Sequence, residues 1–242
     1  MKYLDLTFAD PARNLACDEA LLEDCEHESN QSIDGGLLRV WQPESYCVVL
    51  GHSNRVAAEA NVSACAAAQI PILRRASGGG TVVLGPGCLN YSLFLDCRAH
   101  EVRNIAVAFH YVLERHRHLI EALTGREVRI GGVSDLTIDG HKFSGNAQYR
   151  KSRYVLVHGT FLLNFELAVM ERCLFLPPKQ PEYRDNRSHL EFVANLELAA
   201  RQLLSGLREV WRADGECGAL PLSQVDALAR QRYERADWSN KF

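Results

Sequence analysis

The sequence predicts an α+β chain built on a mixed, largely antiparallel sheet packed by helices, and three features carry that expectation. Asp139-Gly140 separates two alternating runs, over 136–138 and 141–149, a strong signal for a two-residue hairpin. Strand-like runs crowd together over 127–163, whereas a regular doubly wound sheet would alternate strand with helix. One long helix is marked by Val102, Ile105, Phe109, Val112, Leu113, Ile120 and Leu123 at three- and four-residue spacing.

From the N-terminus, a short strand is expected over 3–7. Asp10-Pro11 then supplies an N-cap and a first-turn proline for a helix reaching Cys25. Gly35-Gly36 interrupts the chain before two strands, over 37–41 and 46–50, the second closed by Gly51-His52-Ser53-Asn54. An alanine-rich helix over 63–69 leads to a buried strand over 70–73, and two further apolar runs, 81–84 and 89–95, flank the turn Pro86-Gly87. On the long helix, His110, His116 and His118 lack a consistent ligand spacing with carboxylates and are expected on its solvated side. A last strand over 154–163 precedes a loop over 177–187, with prolines at 177, 178 and 181, and two helices, over 197–211 and 222–234. No repeat or linker divides the sequence, so one catalytic-size domain over 1–242 is expected.

Composition narrows the function. The net charge of −3 argues against a general nucleic-acid binder. Eight cysteines, none at C-x-x-C spacing, indicate neither a zinc site nor a disulfide framework and fit single buried thiols in a reducing cytoplasm. The N-terminus lacks a signal-peptide core, and no apolar run is long enough to span a bilayer, so a cytoplasmic protein that does not engage membranes is expected.

Two stretches carry chemistry. Arg74-Arg75-Ala76-Ser77-Gly78-Gly79-Gly80-Thr81 joins a buried strand to the next apolar run. Backbone N–H groups of such a loop can converge on an anion, with Arg forks beside them. Neither a Walker lysine nor G-x-G-x-x-G is present, and a glycine triplet alone is often just a tight turn. In the second stretch, Gly140-His141-Lys142-Phe143-Ser144-Gly145-Asn146-Ala147-Gln148, a lysine alternates with apolar and small residues inside a hairpin strand. Its side chain either faces a cleft or is an ordinary exposed strand lysine.

Together with Leu89-Asn90-Tyr91-Ser92, Asp135-Leu136 and His158-Gly159-Thr160, these stretches resemble the ordered motif set of A-type lipoate–protein ligases. The resemblance extends to Asn14-Leu15-Ala16, Trp41-Gln42, Gly51-His52-Ser53-Asn54, Ser188-His189 and Asn195-Leu196, and covers about positions 10 to 200. It implies the class II synthetase-like catalytic fold shared by biotin and lipoate ligases. It also implies activation of lipoate or octanoate by ATP with Mg2+ to an acyl-adenylate, then transfer to a lysine of a lipoyl-carrier domain. Lys142 is the implied catalytic residue, its ammonium stabilising charge on carbonyl and phosphate oxygens. Arg74, Arg75, Ser77, Gly78, Gly79, Gly80, Asn90, His158 and Gly159 are the implied acyl-substrate residues. Thr81, Val82, Asp135, Ser144, Gly145, Asn146 and Ala147 are implied on the nucleotide side, and no metal-ligand cluster is indicated. At 242 residues the chain is too short for the C-terminal accessory domain of the longer ligases, so a separate accessory polypeptide is an expected partner for adenylation.

Two departures weaken the nucleotide side of the resemblance: Ser134 stands where the family usually has Asn, and Val83-Leu84-Gly85 replaces a Tyr-His-Asp run. Relatives that transfer octanoyl from acyl-carrier protein, or lipoyl from another lipoyl protein, through a cysteine thioester form the alternative. The span 131–135 has no cysteine, and Cys173, in Glu171-Arg172-Cys173-Leu174, reads as a helix end. Biotin ligases favour a different loop, and a non-enzymatic lipoyl-domain binder is the bland third reading. Arg150, Lys151 and Arg153 form a basic cluster, read either as a carrier-docking patch or as a solvated strand end.

Overall fold

The computed structural model describes residues 1–27 and 35–242. β1 (Lys2–Asp5) leads to α1 (Pro11–Glu26), capped by the Asp10 side chain on the Ala12 N–H, and then to β2 (Leu37–Trp41). Next come β3 (Cys47–Leu50), α2 (Val56–Glu59), α3 (Val62–Ala67), β4 (Ile72–Arg74) and β5 (Val82–Leu84), followed by β6 (Cys88–Asp96) and α4 (Ile105–Thr124). β7 (Arg129–Gly131), β8 (Asp135–Ile138), β9 (His141–Arg150) and β10 (Tyr154–Leu162) form a meander. The chain continues through α5 (Leu167–Cys173), α6 (His189–Phe192), α7 (Ala200–Val210), β11 (Gly215–Glu216), α8 (Leu222–Leu228) and α9 (Ala236–Ser239).

Among the described residues the strands make two sheets. The large one runs β11-β1-β2-β6-β10-β9-β8-β7 and is antiparallel except where β1 meets β2 and β11; the small one runs β4-β3-β5. This is the mixed α+β architecture the sequence predicts. Asp139 and Gly140 both take positive φ, 50° and 77°, which is the twist a two-residue hairpin needs.

Alternation along the strands divides the apolar residues between two layers. Leu89, Tyr91 and Leu93 of β6, with Val155, Val157 and Phe161 of β10, pack under α4 and α7. Leu37, Phe94 and Leu156 face the other way and meet α1 together with Val49, Leu73 and Leu84 of the small sheet. The space between the large sheet, α1 and the small sheet holds the cavity described below.

Element boundaries differ from the sequence reading by a few residues, and two differences have physical content. His116 is fully buried, not solvated: its Nε2 accepts from Trp211 Nε1 at 2.9 Å, and its ring packs edge-on against Tyr91. The final helix expected over 222–234 stops at Leu228 and widens into a π turn over Ala229–Tyr233, which seats Tyr233 Oη on buried Glu19. No helix among the described residues is long and apolar enough to cross a membrane.

Candidate active site

The strand registers explain why distant motifs meet. Trp41 lies opposite Asn90, Asn90 opposite Thr160, Thr160 opposite Gly145 and Gly145 opposite Asp135, one row across five strands. Two residues along, Arg39, Ser92, His158 and Ala147 form a second row on the same face. These rows floor a cavity whose roof comes from Leu15 and Asp18 of α1, Val49, Val82 and Leu84 of the small sheet, and Arg75, Gly79 and Gly80 of the glycine loop. Beyond Gly80, Thr81 and Val82 it adjoins a larger, mainly apolar pocket that includes Phe143, Leu162, Met170, Phe175 and Phe192.

Lys142 stands where the two spaces meet, lining both with Ser134, Asp135 and Gly145. Its Nζ pairs with Asp135 Oδ1 at 2.8 Å, while Asp135 Oδ2 accepts from Tyr183 Oη at 2.7 Å. Burial, then the neighbouring Asp135 carboxylate, pushes the Tyr183 phenol well above its ordinary value, so it remains a donor. The β8–β9 register slips between Leu136 and Thr137, leaving Phe143 as an extra residue on β9. Phe143 turns into the core beside Phe161, and Lys142 is thereby delivered to the cavity side.

The glycine loop is organised differently from a bare anion cradle. Arg75 is buried and uses its guanidinium on the protein: Nε donates to Ser77 Oγ at 2.9 Å, and the terminal nitrogens donate to the carbonyls of Val49, Gly78 and Gly80. Burial lowers its pKa to about 10, with Glu59 opposing, so it stays cationic at neutral pH. Gly79 needs positive φ, 88°, whereas added Cβ atoms at Gly78 and Gly80 would meet open space. Arg74 does not reach the cavity. Fully buried, it donates to the carbonyls of Gly51, His52, Asn54, Trp238 and Ser239, so its fork is consumed by loop 51–54 and α9.

Ser77 also lies behind the wall, with its Oγ 2.7 Å from His158 Nε2. His158 Nδ1 lies 3.6 Å from Asp18 Oδ2, and the same carboxylate accepts from Arg39 at 2.6 Å and Ser92 at 2.7 Å. Burial would raise the Asp18 pKa, but Arg39, His158 and Ser92 outweigh it and hold the carboxyl below its ordinary value.

Of the residues singled out in the sequence, Arg75, Gly79, Gly80, Thr81, Val82, Asn90, Asp135, Lys142, Gly145, Asn146, Ala147, His158 and Gly159 are brought together around the smaller cavity. Ser144 lines the larger pocket; Arg74, Ser77 and Gly78 support the loop from behind. Asn90 Nδ2 and Trp41 Nε1 are buried donors without an acceptor among the described residues, and both residues line the cavity. No group of three or more potential metal-binding side chains occurs among the described residues.

Sequence reasoning missed Asp18, Arg39 and Tyr183. A signal existed for two of them: an arginine inside the apolar strand Leu37-Leu38-Arg39-Val40-Trp41 demands a buried carboxylate, which Asp18 of the largely buried helix α1 supplies. The basic cluster is not free for docking as a unit. Lys151 pairs with Glu23 at 3.3 Å, Arg153 Nη1 donates to the Glu26 carbonyl at 3.3 Å, and Arg150 Nη2 donates to the Val102 carbonyl at 2.8 Å.

Among the described residues no cysteine lines either space, and Cys173 is buried at the last position of α5. The arrangement therefore offers a partly apolar chamber, an ammonium at its junction with a second pocket, and no thiol beside that ammonium.

Comparison with known proteins agrees with this geometry. A bi-partite lipoate protein ligase from Thermoplasma acidophilum, solved in a study that includes its E2 lipoyl domain, superposes with a TM-score of 0.82 at 21% identity, covering 100% of this chain and 96% of that one. A lipoate-protein ligase A bound with ATP gives 0.80 at 23% identity, covering 99% and 98%. By sequence, the chain is 31% identical to the probable lipoate-protein ligase A of Mycoplasma pneumoniae over 95% of this chain and 68% of that protein. It is also 26% identical to octanoyltransferase LipM of Geobacillus kaustophilus over 99% and 98%. The family model described as the lipoyl protein ligase A/B catalytic domain matches residues 10–206, and the chain belongs to that family.

Proposed function

We propose that this chain, as a single catalytic domain over 1–242, activates lipoate or octanoate with ATP and transfers the acyl group to a lysine of a lipoyl-carrier domain. The observation that carries the reading is the placement of Lys142: its ammonium stands between a partly apolar chamber and a second pocket, held by Asp135, with no cysteine among the described residues that line either space. An acyl chain fits between Leu15, Trp41, Val49 and Leu84, with its carboxyl toward Lys142. The larger pocket, with Phe143, Leu162 and Phe192, suits an adenine ring. Some relatives' structures are described as bound to ATP or lipoic acid, which supports the same pair of ligands here.

In this reading the carboxylate attacks the α-phosphorus and pyrophosphate leaves. Lys142 donates to the carbonyl and phosphate oxygens as charge builds on them, and Asp135 with Tyr183 fixes the direction of its ammonium. In the second half-reaction the acceptor amine attacks the acyl carbon and adenylate leaves, with Lys142 again bonding the departing oxygens. Glu59 is the pocket carboxylate that would be available to the Mg2+ accompanying ATP, since both oxygens of Asp135 are engaged by Lys142 and Tyr183; phosphate and water oxygens would supply most of its ligands. That ion would neutralise phosphate charge.

The cysteine-dependent transferase is the second reading, favoured by the similarity to LipM. Intact-mass measurement of a lipoyl domain incubated with this chain, lipoate and MgATP tests the choice; ATP-dependent gain of one lipoyl group is expected. Acylation from octanoyl-acyl-carrier protein without ATP, abolished by Cys173→Ser, would overturn the ligase reading. The Thermoplasma ligase is described as bi-partite, and we extend the proposal to an accessory polypeptide that assists adenylation. Transfer from synthetic lipoyl-adenylate by this chain alone separates the half-reactions.

A further inference from the structure

Tyr91 faces away from the two rows that floor the cavity, into the layer under α4, yet its hydroxyl donates to Asn146 Oδ1 at 2.7 Å. That bond fixes which way the Asn146 amide points. Nδ2 of the same amide then donates to the carbonyl of Ser134 at 2.7 Å, the residue immediately before Asp135. A continuous chain of contacts thus runs from the helical layer through Tyr91 and Asn146 to the loop that presents Asp135 to Lys142.

The two ends of this chain are built differently. On the buried side, Tyr91 is wedged among rings: His116 at a centroid distance of 4.6 Å and 88°, and Phe161 at 5.6 Å. His116 is itself held by Trp211 Nε1 donating to Nε2, which leaves the proton of the neutral ring on Nδ1. On the other side is the tight turn leading to Asp135: Gly131 pairs with Asp135 across β7 and β8 and lies close against Tyr183, Gly132 takes φ 55°, and Val133 is 70% exposed, so the Asn146 amide is the side-chain contact that holds the Ser134 carbonyl. Between them, Gly159 leaves the space that Asn146 fills: a Cβ at Gly159 would lie 1.8 Å from Asn146 Oδ1. Apart from Tyr91, Asn146 Oδ1 has Ser144 Oγ at 3.4 Å, a weaker contact.

We infer that Tyr91 is a positioning residue for the adenylation chemistry: its hydroxyl locks the Asn146 amide, which tethers the Ser134 carbonyl and keeps Asp135 aligned with Lys142. The inference rests on the ligase reading above. Loss of the hydroxyl leaves the ring packing in place but lets the amide turn over, and an amide presented by its oxygen cannot bond the Ser134 carbonyl. The effect should therefore fall on turnover and on ATP, and not on the acyl chain, which is held by Leu15, Trp41 and Val49.

The test compares Tyr91→Phe, Asn146→Ala and the double variant, using full-length protein in pyrophosphate release with octanoate and MgATP. Tyr91→Phe is expected to lower kcat about tenfold and raise the KM for ATP, with the octanoate KM within about twofold. Because the hydroxyl acts only through the amide, the double variant should be no slower than Asn146→Ala alone. Additive losses would overturn the inference. Hydrogen exchange without substrates supplies a readout independent of activity: amides over 132–135 should exchange faster in Tyr91→Phe, and unchanged protection there would overturn it too. Wild-type protein that forms no adenylate yet transfers from synthetic lipoyl-adenylate would point to the accessory polypeptide, and protein that does neither would refute the ligase reading; in both cases the exchange comparison decides the tether.

Discussion

Nζ of Lys142 and Oδ1 of Asp135 lie 2.8 Å apart on neighbouring strands, at the place where the β8–β9 register shifts. Strict alternation counted back from Gly145 would put Phe143 in the cavity and Lys142 in the core. The extra residue at the bulge exchanges them, so an apolar ring enters the core and an ammonium enters the site.

Lys142→Met should therefore remove the chemistry and spare the fold. On the ligase reading, adenylate formation is expected to fall by about 10²–10³, with stability lowered by about 1–3 kcal/mol, because the buried Asp135 carboxylate loses its cation but keeps the Tyr183 hydroxyl. Lys142→Arg should not rescue, since a planar fork cannot reproduce a compact ammonium over Gly145. Pyrophosphate release and urea denaturation measure the two quantities; a variant that loses cooperative unfolding would make Lys142 a structural residue.

Gly145→Ala isolates position from charge. A Cβ there would fall 2.7 Å from Lys142 Nζ and 2.8 Å from its Cε, with Asp135 Oδ1 at 3.7 Å. The flexible lysine tip can move aside, so the protein should fold, but with the ammonium displaced. A kcat loss of about tenfold or more, with the transition midpoint nearly unchanged, is expected. Undiminished kcat would mean that the Lys142 geometry seen here is not the working one.

Much of the fold was legible because its signals are local. Asp139-Gly140 marked the hairpin, Asp10-Pro11 the start of α1, and alternation the strands of the meander. The pairing of remote motifs was not legible from spacing, since nothing in the sequence says that Trp41, Asn90, Thr160, Gly145 and Asp135 share one row. Charge was misread where burial decided the outcome. Arg74 and Arg75 read as forks for an anion, yet in the fold their donors go to protein acceptors: Arg74 to carbonyls of loop 51–54 and α9, Arg75 to Ser77 Oγ and the carbonyls of Val49, Gly78 and Gly80. His116 looked solvated because Trp211, almost a hundred residues on in the chain, supplies its hydrogen bond.

Arg74 is expected to carry stability. Its guanidinium bonds five carbonyls drawn from loop 51–54 and α9, and Trp238 Nε1 donates back to the Arg74 carbonyl at 2.8 Å. Arg74→Met should cost about 3 kcal/mol, read as a lower urea midpoint at unchanged slope. Arg74→Lys should recover only part of this, because three donors on a point charge cannot span both segments. An Arg74→Lys variant of native stability that no longer bound octanoate would instead make Arg74 a substrate residue.

His116 supplies a pH dependence whose sign follows from its burial. Enclosure by Tyr91, Phe161 and Trp211, aided by the nearby Arg115 charge, lowers its pKa from 6.5 to about 3. The folded protein keeps this ring neutral while the unfolded chain protonates it, so between about pH 6.5 and 3 the unfolded state binds more protons. Stability contributed by the neutral ring is therefore complete above about pH 6.5 and drains away as pH falls through that window, by up to about 1.4 kcal/mol per pH unit. Urea midpoints of wild type should decline from pH 7 to pH 5, a range above the titration of ordinary carboxylates. His116→Gln can still accept from Trp211 Nε1 but cannot protonate, so its midpoint should be lower at pH 7 and change less on acidification. Equal slopes in the two proteins would show that His116 is not the group that titrates.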